Sequence, residues 1–356
     1  MHWQEIPKDS LAVLRRGCAI PAHLLALTGD RQLDVKRQRA MTRYYLDAGA
    51  GGVAVGVHST QFAIRDVGLY EPVLELAMQT ARDWMPMGGK RPLFMVGGLA
   101  GRTEQAVREA RTAQRLGYHA GLLSLAAMKG SSDEELIAHC RAVAGVIPLV
   151  GFYLQPAVGG IHLPAPFWRR FAEIENVIAI KMAPFNRYRT FDVIRGVVNA
   201  HAEERVTLYT GNDDHIVLDL AVPFTLMRDG KPVTVRIKGG LLGHWSVWTK
   251  RAVELLDRIH AAIEKNAITP DLLALDAQVT DCNAALFDVA HDFHGCIAGC
   301  HEVLRRQGLL HGIWCLDPKE GLSEGQASEL SRVQRDYPHL VDDDFVVANK
   351  ERWLAD

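Results

Sequence analysis

Apolar runs of five to eight residues alternate with amphipathic stretches along most of the chain, from residue 18 to residue 263. Short apolar runs bounded by glycine, proline and polar residues are typical of buried strands. The pattern predicts seven strands, at 18–25, 52–57, 92–96, 119–125, 147–153, 177–181 and 205–210. An eighth strand is predicted either at 232–237 or in the run through Leu241, Leu242 and Gly243.

Helical stretches separate these strands. The predicted helices cover 34–47 with Asp34 as the N-cap, 72–83, a stretch marked by Ala106, Ala110 and Ala113, 132–144, 191–200, 215–222 and 247–263. Eight such βα units at a spacing of about 30 residues predict an α/β fold, a (β/α)8 TIM barrel. A doubly wound open sheet is the alternative, but the Gly-x-Gly-x-x-Gly fingerprint of dinucleotide binding does not follow the first strand.

The chain is longer than a barrel of this kind requires, which is roughly 250 residues. We therefore predict a barrel catalytic domain over 1–265 and a C-terminal helical domain over 266–356. Polar residues near Asp342, Asp343 and Asp344 predict an unstructured tail at its end.

Lys181 stands at the C-terminal end of the apolar run 177–183. Burial at a strand end favours the neutral, nucleophilic form of an amine, which can form a Schiff base. The alternative is a lysine that reaches out to solvent. Tyr153 ends the preceding predicted strand, 28 residues earlier. If one helix separates the two strands, they are neighbours in a parallel sheet, and we expect the phenol beside the amine as a proton relay.

In a barrel, the C-terminal ends of all strands converge on one mouth, so the strand ends indicate the pocket. The predicted ends are His58-Ser59-Thr60, Gly97-Gly98, Ser124, Tyr153, Lys181, Gly211-Asn212 and, with the eighth strand still ambiguous, His244-Trp245.

Composition narrows the possible partners. The 356 residues are 48% hydrophobic and 23% charged, with a net charge of −2, which gives no electrostatic reason to expect nucleic acid or a membrane surface. The N-terminus lacks a signal-peptide layout and no apolar run is long enough for a membrane span, so we expect a cytoplasmic protein with a small-molecule partner. The six scattered cysteines predict free, mostly buried thiols.

Four short motifs follow one another along the chain: Gly56-Val57-His58-Ser59-Thr60, Tyr153-Leu154-Gln155-Pro156, Ile178-Ala179-Ile180-Lys181 and Thr210-Gly211-Asn212-Asp213. In this order and spacing they resemble the landmarks of the dihydrodipicolinate synthase / N-acetylneuraminate lyase family of class I Schiff-base aldolases, and the resemblance runs from Leu11 to Leu316. They stand for the family's Gly-Thr-Thr-Gly-Glu or Gly-Ser-Thr-Gly-Glu turn, Tyr-Asn-x-Pro, Gly-x-Lys and Ser-Gly-Asp-Asp.

The resemblance implies a barrel with a C-terminal helical domain in a homo-oligomer, a tetramer or dimer. It implies a 2-oxo acid such as pyruvate bound to Lys181 as an imine, Tyr153 as the group that moves protons, and an aldehyde as the second partner. Gly211 would let the backbone approach the bound acid. We expect no cofactor and no metal ion.

Three departures from the family pattern bear on the substrate. The two hydroxyl residues that hold the substrate carboxylate in the family align with Val57 and His58, or with Ser59 and Thr60 if the alignment shifts. The arginine that follows Tyr-Asn-x-Pro in the synthases is absent from 157–160, and Ala126-Ala127-Met128 replaces the fourth-strand tyrosine pair. Without that arginine, lysine-biosynthetic synthase activity is not expected.

Several candidates also have ordinary structural interpretations. Ser59 and Thr60 are also turn and capping residues, and one or more of Asn212, Asp213 and Asp214 can cap a helix. His58 and Gln155 can bind substrate or satisfy backbone groups, and His244 and Trp245 are more typical of core packing.

Cys296 and Cys300 lie four residues apart, between His294 and His301, but the spacing fits no standard zinc site and favours a buried helix. The resemblance places this helix near the barrel mouth, which leaves His294 as a minor candidate.

The sequence therefore predicts a lyase or aldolase that acts on a 2-oxo acid, with Lys181 as nucleophile and Tyr153 as acid and base. The candidate substrate-binding residues are His58, Ser59, Thr60, Gln155, Gly211 and Asn212. A dehydratase or hydratase-aldolase that uses the same imine is the first alternative, and a non-catalytic metabolite-binding barrel is the second.

Overall fold

Eight parallel strands form a nearly closed barrel in the computed structural model, which describes residues 1–85 and 91–355. The predicted (β/α)8 fold is confirmed. The strands are β1 Ala19–Pro21, β2 Gly52–Val55, β3 Phe94–Leu99, β4 Ala120–Leu123, β5 Leu149–Leu154, β6 Val177–Ala183, β7 Thr207–Thr210, β8 Pro223–Arg228 and β9 Lys231–Leu242. Neighbours pair in the order β1-β9-β7-β6-β5-β4-β3-β2, and a parallel bridge between Ala22 and Ala54 joins the two ends.

The eighth barrel strand is the second half of β9, which confirms the alternative through Leu241 and Leu242, whereas the alternative at 232–237 lies almost wholly in the first half. Its first half instead pairs antiparallel with β8, which does not belong to the barrel. Asp229 and Gly230 form the turn between them with φ of 51° and 75°. Asp-Gly is the typical signal for a two-residue hairpin of this kind, and the prediction overlooked it.

Thirteen α-helices complete the described chain. They are α1 Lys8–Arg16, α2 Val35–Ala48, α3 Tyr70–Trp84, α4 Thr103–Leu116, α5 Asp133–Ala144, α6 Ala165–Ala172, α7 Arg187–Asn199, α8 Ile216–Ala221, α9 Thr249–Glu264, α10 Pro270–Leu286, α11 Cys296–Arg306, α12 Gln326–Asp336 and α13 Asp343–Trp353. The predicted N-cap is confirmed, because Oδ1 of Asp34 accepts the N–H of Arg37 at 3.0 Å.

Apolar side chains fill the barrel interior, among them Ile20, Val96, Leu122, Val150 and Leu241. Helix α1 closes the N-terminal end by adding Leu11 and Leu14 to the same cluster. The C-terminal end therefore remains as the mouth that can hold a ligand.

The C-terminal helices pack against the barrel, and the predicted unstructured tail at Asp342–Asp344 is wrong. Helix α13 begins at Asp343, and the carboxylate of Asp342 is fully buried. It accepts hydrogen bonds from the Tyr44 hydroxyl at 2.7 Å and from Nε2 of Gln307 at 2.9 Å. Trp353 is also fully buried, so Asp342 and helix α13 pack against the rest of the fold instead of forming a solvated tail.

Within the described ranges, no helix combines the length and the apolar character needed to cross a membrane. All six cysteines are free thiols, and five of them are buried.

Candidate active site

A pocket with about 650 Å³ of empty space, part of it open to solvent, lies at the C-terminal ends of the barrel strands. The strand ends that line it are those of β1, β2, β5, β6, β7 and β9. The segment that joins α10 to α11 and the start of α11 cover its other side through Phe287, Phe293, Cys296, Ile297 and Cys300. The site is therefore built jointly by the barrel and the C-terminal helices.

Lys181 lies on the interior face of β6 and lines the pocket with only 7% of its surface exposed. Its Nζ is 4.5 Å from the centroid of the Phe152 ring. Burial lowers the pKa of the Lys181 ammonium below its usual range, and the carboxylate of Asp213 partly opposes that shift. The structure thus places a buried amine with a lowered pKa at the strand end where the sequence predicted one.

Gly211 lines the pocket directly beside this lysine. A Cβ at position 211 would lie 2.5 Å from Cε of Lys181 and 2.9 Å from Cβ of Ala183. Only glycine therefore leaves room for the extended lysine side chain at this point. The reason is the space around Lys181 rather than backbone conformation.

Asp213 lines the pocket and is 4% exposed, although it was predicted only as a possible helix cap. Its Oδ1 has no hydrogen-bond partner among the described residues. Burial raises the pKa of the Asp213 carboxyl, while the charge of Lys181 and the backbone N–H of His244 oppose the rise. A buried, underused carboxyl next to a buried amine is a candidate proton carrier. The Thr210-Gly211-Asn212-Asp213 landmark contained this residue, but a motif does not show which member faces the pocket.

Tyr153 does not face the pocket, so its predicted position beside Lys181 is wrong. Phe152, not Tyr153, pairs with Lys181, because the register between β5 and β6 shifts after Leu149. Side chains alternate along a strand, so Tyr153 points outward into the helix layer. Its hydroxyl accepts the N–H of Leu163 at 3.2 Å and lies 3.2 Å from Nδ1 of His162.

The turn after β2 contributes two of its three candidates. His58 and Ser59 line the pocket. Burial, together with the charge of Lys181, lowers the pKa of His58 to about 4, so its imidazole is neutral near pH 7. Thr60 does not line the pocket: its hydroxyl donates to the carbonyl of His23 at 2.6 Å and accepts the N–H of Gly56 at 3.0 Å. Thr60 is therefore a turn residue, which was the structural alternative to substrate binding.

Gln155 lines the pocket, and its Oε1 accepts the N–H of Ala157 at 3.4 Å. Asn212 does not line the pocket. Its Oδ1 accepts the N–H of Phe185 at 3.0 Å, and its Nδ2 donates to the carboxylate of Asp219 at 2.9 Å. Asn212 therefore positions the loop after β6.

Other predicted strand ends do not line the pocket. His244 and Trp245 are buried at 6% and 2% exposure, as the packing interpretation expected, and only the adjacent Gly243 lines the pocket. Gly97, Gly98 and Ser124 are not among the lining residues. The carbonyl of Gly98 instead accepts the hydroxyl of Tyr70, the first residue of α3, at 2.8 Å.

Helix α11 brings Cys296 and Cys300 to the pocket wall. Burial raises the pKa of both thiols, which leaves them protonated and apolar near pH 7. Over residues 1–85 and 91–355, no three His, Cys, Asp or Glu side chains are grouped in a way that could hold a metal ion. His294 is exposed and does not line the pocket.

Left-handed backbone also occurs in the two segments that bring Phe185 and Phe293 to the mouth. Phe185 after β6 has φ of 48°, and Asp288, Asp292 and Phe293 have φ of 56°, 51° and 68°. The carboxylate of Asp288 fixes its segment, since it accepts the N–H of Gly295 at 3.0 Å and lies 2.6 Å from Nδ1 of His291. Non-glycine residues hold such conformations only where the surrounding structure requires them.

Comparison with known proteins agrees with this architecture. A family model described as the dihydrodipicolinate synthetase family matches residues 17–223, more than half of the chain. N-acetylneuraminate lyase 2 of Escherichia coli O6:H1 is 22% identical over 306 residues, which cover 85% of this chain and 88% of the relative. The 4-hydroxy-tetrahydrodipicolinate synthase of Azoarcus sp. is 27% identical over 197 residues, 55% of this chain and 63% of the relative. The corresponding synthase of Persephonella marina is matched over 55% of its length, so the chain spans little more than half of these synthases.

Solved structures share the fold at low identity. The dihydrodipicolinate synthase of Acinetobacter baumannii, solved in complex with pyruvate, has a TM-score of 0.73 and 18% sequence identity to this protein. The superposition covers 90% of this chain and 99% of the synthase chain. The N-acetylneuraminate lyase of Fusobacterium nucleatum has a TM-score of 0.70 and 15% identity, over 90% of this chain and 99% of its own. With the match of the family model over residues 17–223, the chain belongs to the dihydrodipicolinate synthetase family.

Proposed function

We propose that this protein is a Schiff-base lyase or aldolase that cleaves or forms a carbon–carbon bond between pyruvate, or another 2-oxo acid, and an aldehyde. The observation that carries the proposal is the Lys181 amine, buried at the base of the pocket with a lowered pKa. A buried lysine with no catalytic use would destabilise the fold without benefit. Family membership supports the same chemistry.

In the cleavage direction, Nζ of Lys181 adds to C2 of a 4-hydroxy-2-oxo acid, and one water leaves to give a protonated imine. A base takes the proton of the C4 hydroxyl, the C3–C4 bond breaks, and its electron pair moves into the imine to form an enamine. The aldehyde leaves, C3 takes a proton, and water hydrolyses the imine to release pyruvate. The lowered pKa of Lys181 increases the fraction of neutral amine available for the first step.

Asp213 is our candidate for the acid and base in place of Tyr153. Its carboxyl faces the pocket, Oδ1 has no hydrogen-bond partner among the described residues, and its raised pKa lets it hold and release a proton closer to neutral pH. The Tyr153 hydroxyl is occupied in the helix layer.

His58 and Ser59 are the proposed partners of the substrate carboxylate. The imidazole of His58 is neutral near pH 7, so it can donate one N–H, and the Ser59 hydroxyl can donate its proton. Gln155 is a further amide at the same pocket.

A dehydratase or hydratase-aldolase is the second candidate, since it would use the same imine. It is favoured by the chemistry of the pocket wall, where Lys181 is the sole Lys or Arg among the described lining residues. A second substrate with its own carboxylate would find no separate cation there.

Borohydride trapping with pyruvate, followed by peptide mass mapping, tests the imine. We expect a pyruvyl-sized adduct on Lys181 that is lost in Lys181→Ala and retained in Lys231→Ala, which removes an exposed lysine on the β8–β9 hairpin. If an adduct forms with a larger 2-oxo acid but not with pyruvate, the larger acid takes the place of pyruvate in the proposal. Absence of any adduct, together with a ligand-induced rise in melting temperature, would overturn the enzyme proposal in favour of a binding protein.

The proposal also includes a cytoplasmic homo-oligomer, which the family resemblance suggests. Light scattering after size exclusion should give a dimer or tetramer mass, and a monomer at micromolar concentration would contradict this part alone.

A further inference from the structure

Part of the pocket wall is apolar and largely aromatic. Phe185, Phe287, Phe293 and Ile297 line it, together with the half-buried Val158. Phe287, Phe293 and Ile297 come from the C-terminal helical region, whereas Phe185 and Val158 follow the ends of β6 and β5. Apolar walls of this kind bury an apolar ligand group and offer no compensation to a buried charge.

Two of these rings form a pair at the mouth. The centroids of Phe185 and Phe293 are 5.7 Å apart, and the ring planes meet at 69°. Edge-to-face packing is one of the two arrangements that aromatic pairs favour, and a substrate ring can pack in the same way. Both residues are half-buried, so part of each ring is available for contact.

The backbone that carries Phe293 is held in an unfavourable conformation by specific bonds. Asp292 and Phe293 have positive φ, and the Asp288 carboxylate fixes the segment through the N–H of Gly295. Phe185, from the other side of the mouth, also has positive φ. Both residues of the ring pair therefore have an unfavourable backbone conformation. Such conformations persist only where the surrounding structure holds them, which indicates that the position of the two rings has a function.

We propose that the aldehyde half of the substrate carries an aromatic ring and that Phe185 and Phe293 are its binding residues. This inference rests on the proposed function. In the cleavage direction the substrate is then a 4-aryl-4-hydroxy-2-oxo acid, and the steps given above release pyruvate and an aryl aldehyde. The single carboxylate of this substrate is the one next to the keto group, which matches a pocket wall where Lys181 is the sole Lys or Arg among the described residues.

The test compares three 4-hydroxy-2-oxo acids that differ at C4 in a phenyl, a methyl or a carboxylate group. Release of pyruvate gives kcat/KM for each. We expect the phenyl substrate to exceed the methyl substrate by about 10-fold or more, since an additional buried apolar group contributes about this much to discrimination. The carboxylate substrate should be the poorest of the three.

Variants at the ring pair separate recognition from folding. Phe293→Ala and Phe185→Ala should each lower the phenyl-to-methyl ratio of kcat/KM by about 10-fold. Phe191→Ala is the matched control, because Phe191 is also half-buried and pairs edge-to-face, at 5.5 Å, with Phe224 of the hairpin. Its phenyl-to-methyl ratio should equal that of the wild type. Val158→Arg adds a cation to the wall and should raise the relative kcat/KM of the carboxylate substrate.

The outcomes distinguish this inference from the proposed function. A pyruvyl adduct on Lys181 combined with equal or better cleavage of the carboxylate substrate, or with no cleavage of the phenyl substrate, overturns the aromatic partner and leaves the imine intact. An unchanged phenyl-to-methyl ratio in both phenylalanine variants overturns the role of the ring pair. Absence of an adduct with every 2-oxo acid overturns the proposed function itself.

Discussion

The ends of β5 and β6 are neighbours in the barrel, and each carries a residue suited to imine chemistry, but their side chains lie on opposite faces of the sheet. Lys181 on β6 points into the pocket. Tyr153 on β5 points into the helix layer, where its ring lies 5.3 Å from that of Trp168. The predicted strand position is therefore confirmed for both residues, and the predicted face only for Lys181.

A one-residue shift in register accounts for the difference. At the start of the pair Leu149 aligns with Val177, and this offset of 28 residues would place Tyr153 opposite Lys181. After Leu149 the offset becomes 29, so Phe152 aligns with Lys181 instead. One extra residue in a strand moves every later side chain to the other face. The comparison predicts that the lysine is essential, that Asp213 replaces the phenol, and that the phenol is dispensable.

The largest expected effect is that of Lys181→Ala. Loss of the nucleophile should lower kcat/KM for cleavage by at least ~10³-fold. Lys181→Arg is the matched variant, because its guanidinium keeps the positive charge but does not lose its proton and so cannot form an imine. It should be as inactive as Lys181→Ala. Substantial turnover in either variant, measured by pyruvate release, would mean that the reaction does not pass through this amine.

Asp213→Asn should lower kcat by about 10²-fold, because the amide keeps the shape of the side chain but cannot carry the proton. The pH profile gives a second readout. Asp213 raises the pKa of Lys181, so its replacement should lower that pKa further. The ascending limb of kcat/KM, which reports formation of the neutral amine, should then move to lower pH. A limb that stays in place or moves to higher pH would contradict the pairing of these two groups.

The outline of the barrel could be predicted because its strands are short apolar runs separated by polar helical stretches. Which face of each strand points into the barrel could not be predicted. β5 and β6 are buried along their whole length, so apolar residues occupy both faces and no alternation marks which one is interior. The register shift after Leu149 leaves no pattern in such a sequence.

Strand ends gave His58, Ser59, Lys181 and Gly211 as pocket residues, because the C-terminal ends of barrel strands meet at one mouth. Gln155 came from the landmark Tyr153-Leu154-Gln155-Pro156. The aromatic wall was not predicted. Phe287, Phe293 and Ile297 come from the C-terminal region, more than 40 residues after the last barrel strand, and only tertiary packing brings them to the mouth. The predicted tail at Asp342 was wrong for a related reason. A run of three aspartates is typical of a solvated tail, and nothing in the local sequence shows that Tyr44 and Gln307 bind the first of them.

A smaller effect is expected from Gly211→Ala, which tests the space around the lysine. The added Cβ would lie 2.5 Å from Cε of Lys181, so the amine must move. A displacement near 1 Å can lower the rate by about 10²-fold, and we expect a loss of about 10-fold to 10²-fold in kcat. Gly321→Ala is the control, because a Cβ added at Gly321 would have no atom within 4 Å and the φ of this residue is not left-handed. Equal activity of both variants would show that Lys181 tolerates the shift.

The smallest effect should be that of Tyr153→Phe, and it separates the two strand ends most sharply. The phenylalanine ring can keep the packing against Trp168, but the N–H of Leu163 loses its acceptor. The free energy of unfolding should therefore fall by about 1 kcal/mol, measured by urea denaturation. Because the hydroxyl lies in the helix layer, kcat/KM should stay within about threefold of the wild-type value. If Tyr153→Phe instead lost as much activity as Asp213→Asn with no change in stability, the phenol would have to reach the imine. In that case β5 would pair with β6 at the unshifted offset, with Tyr153 opposite Lys181.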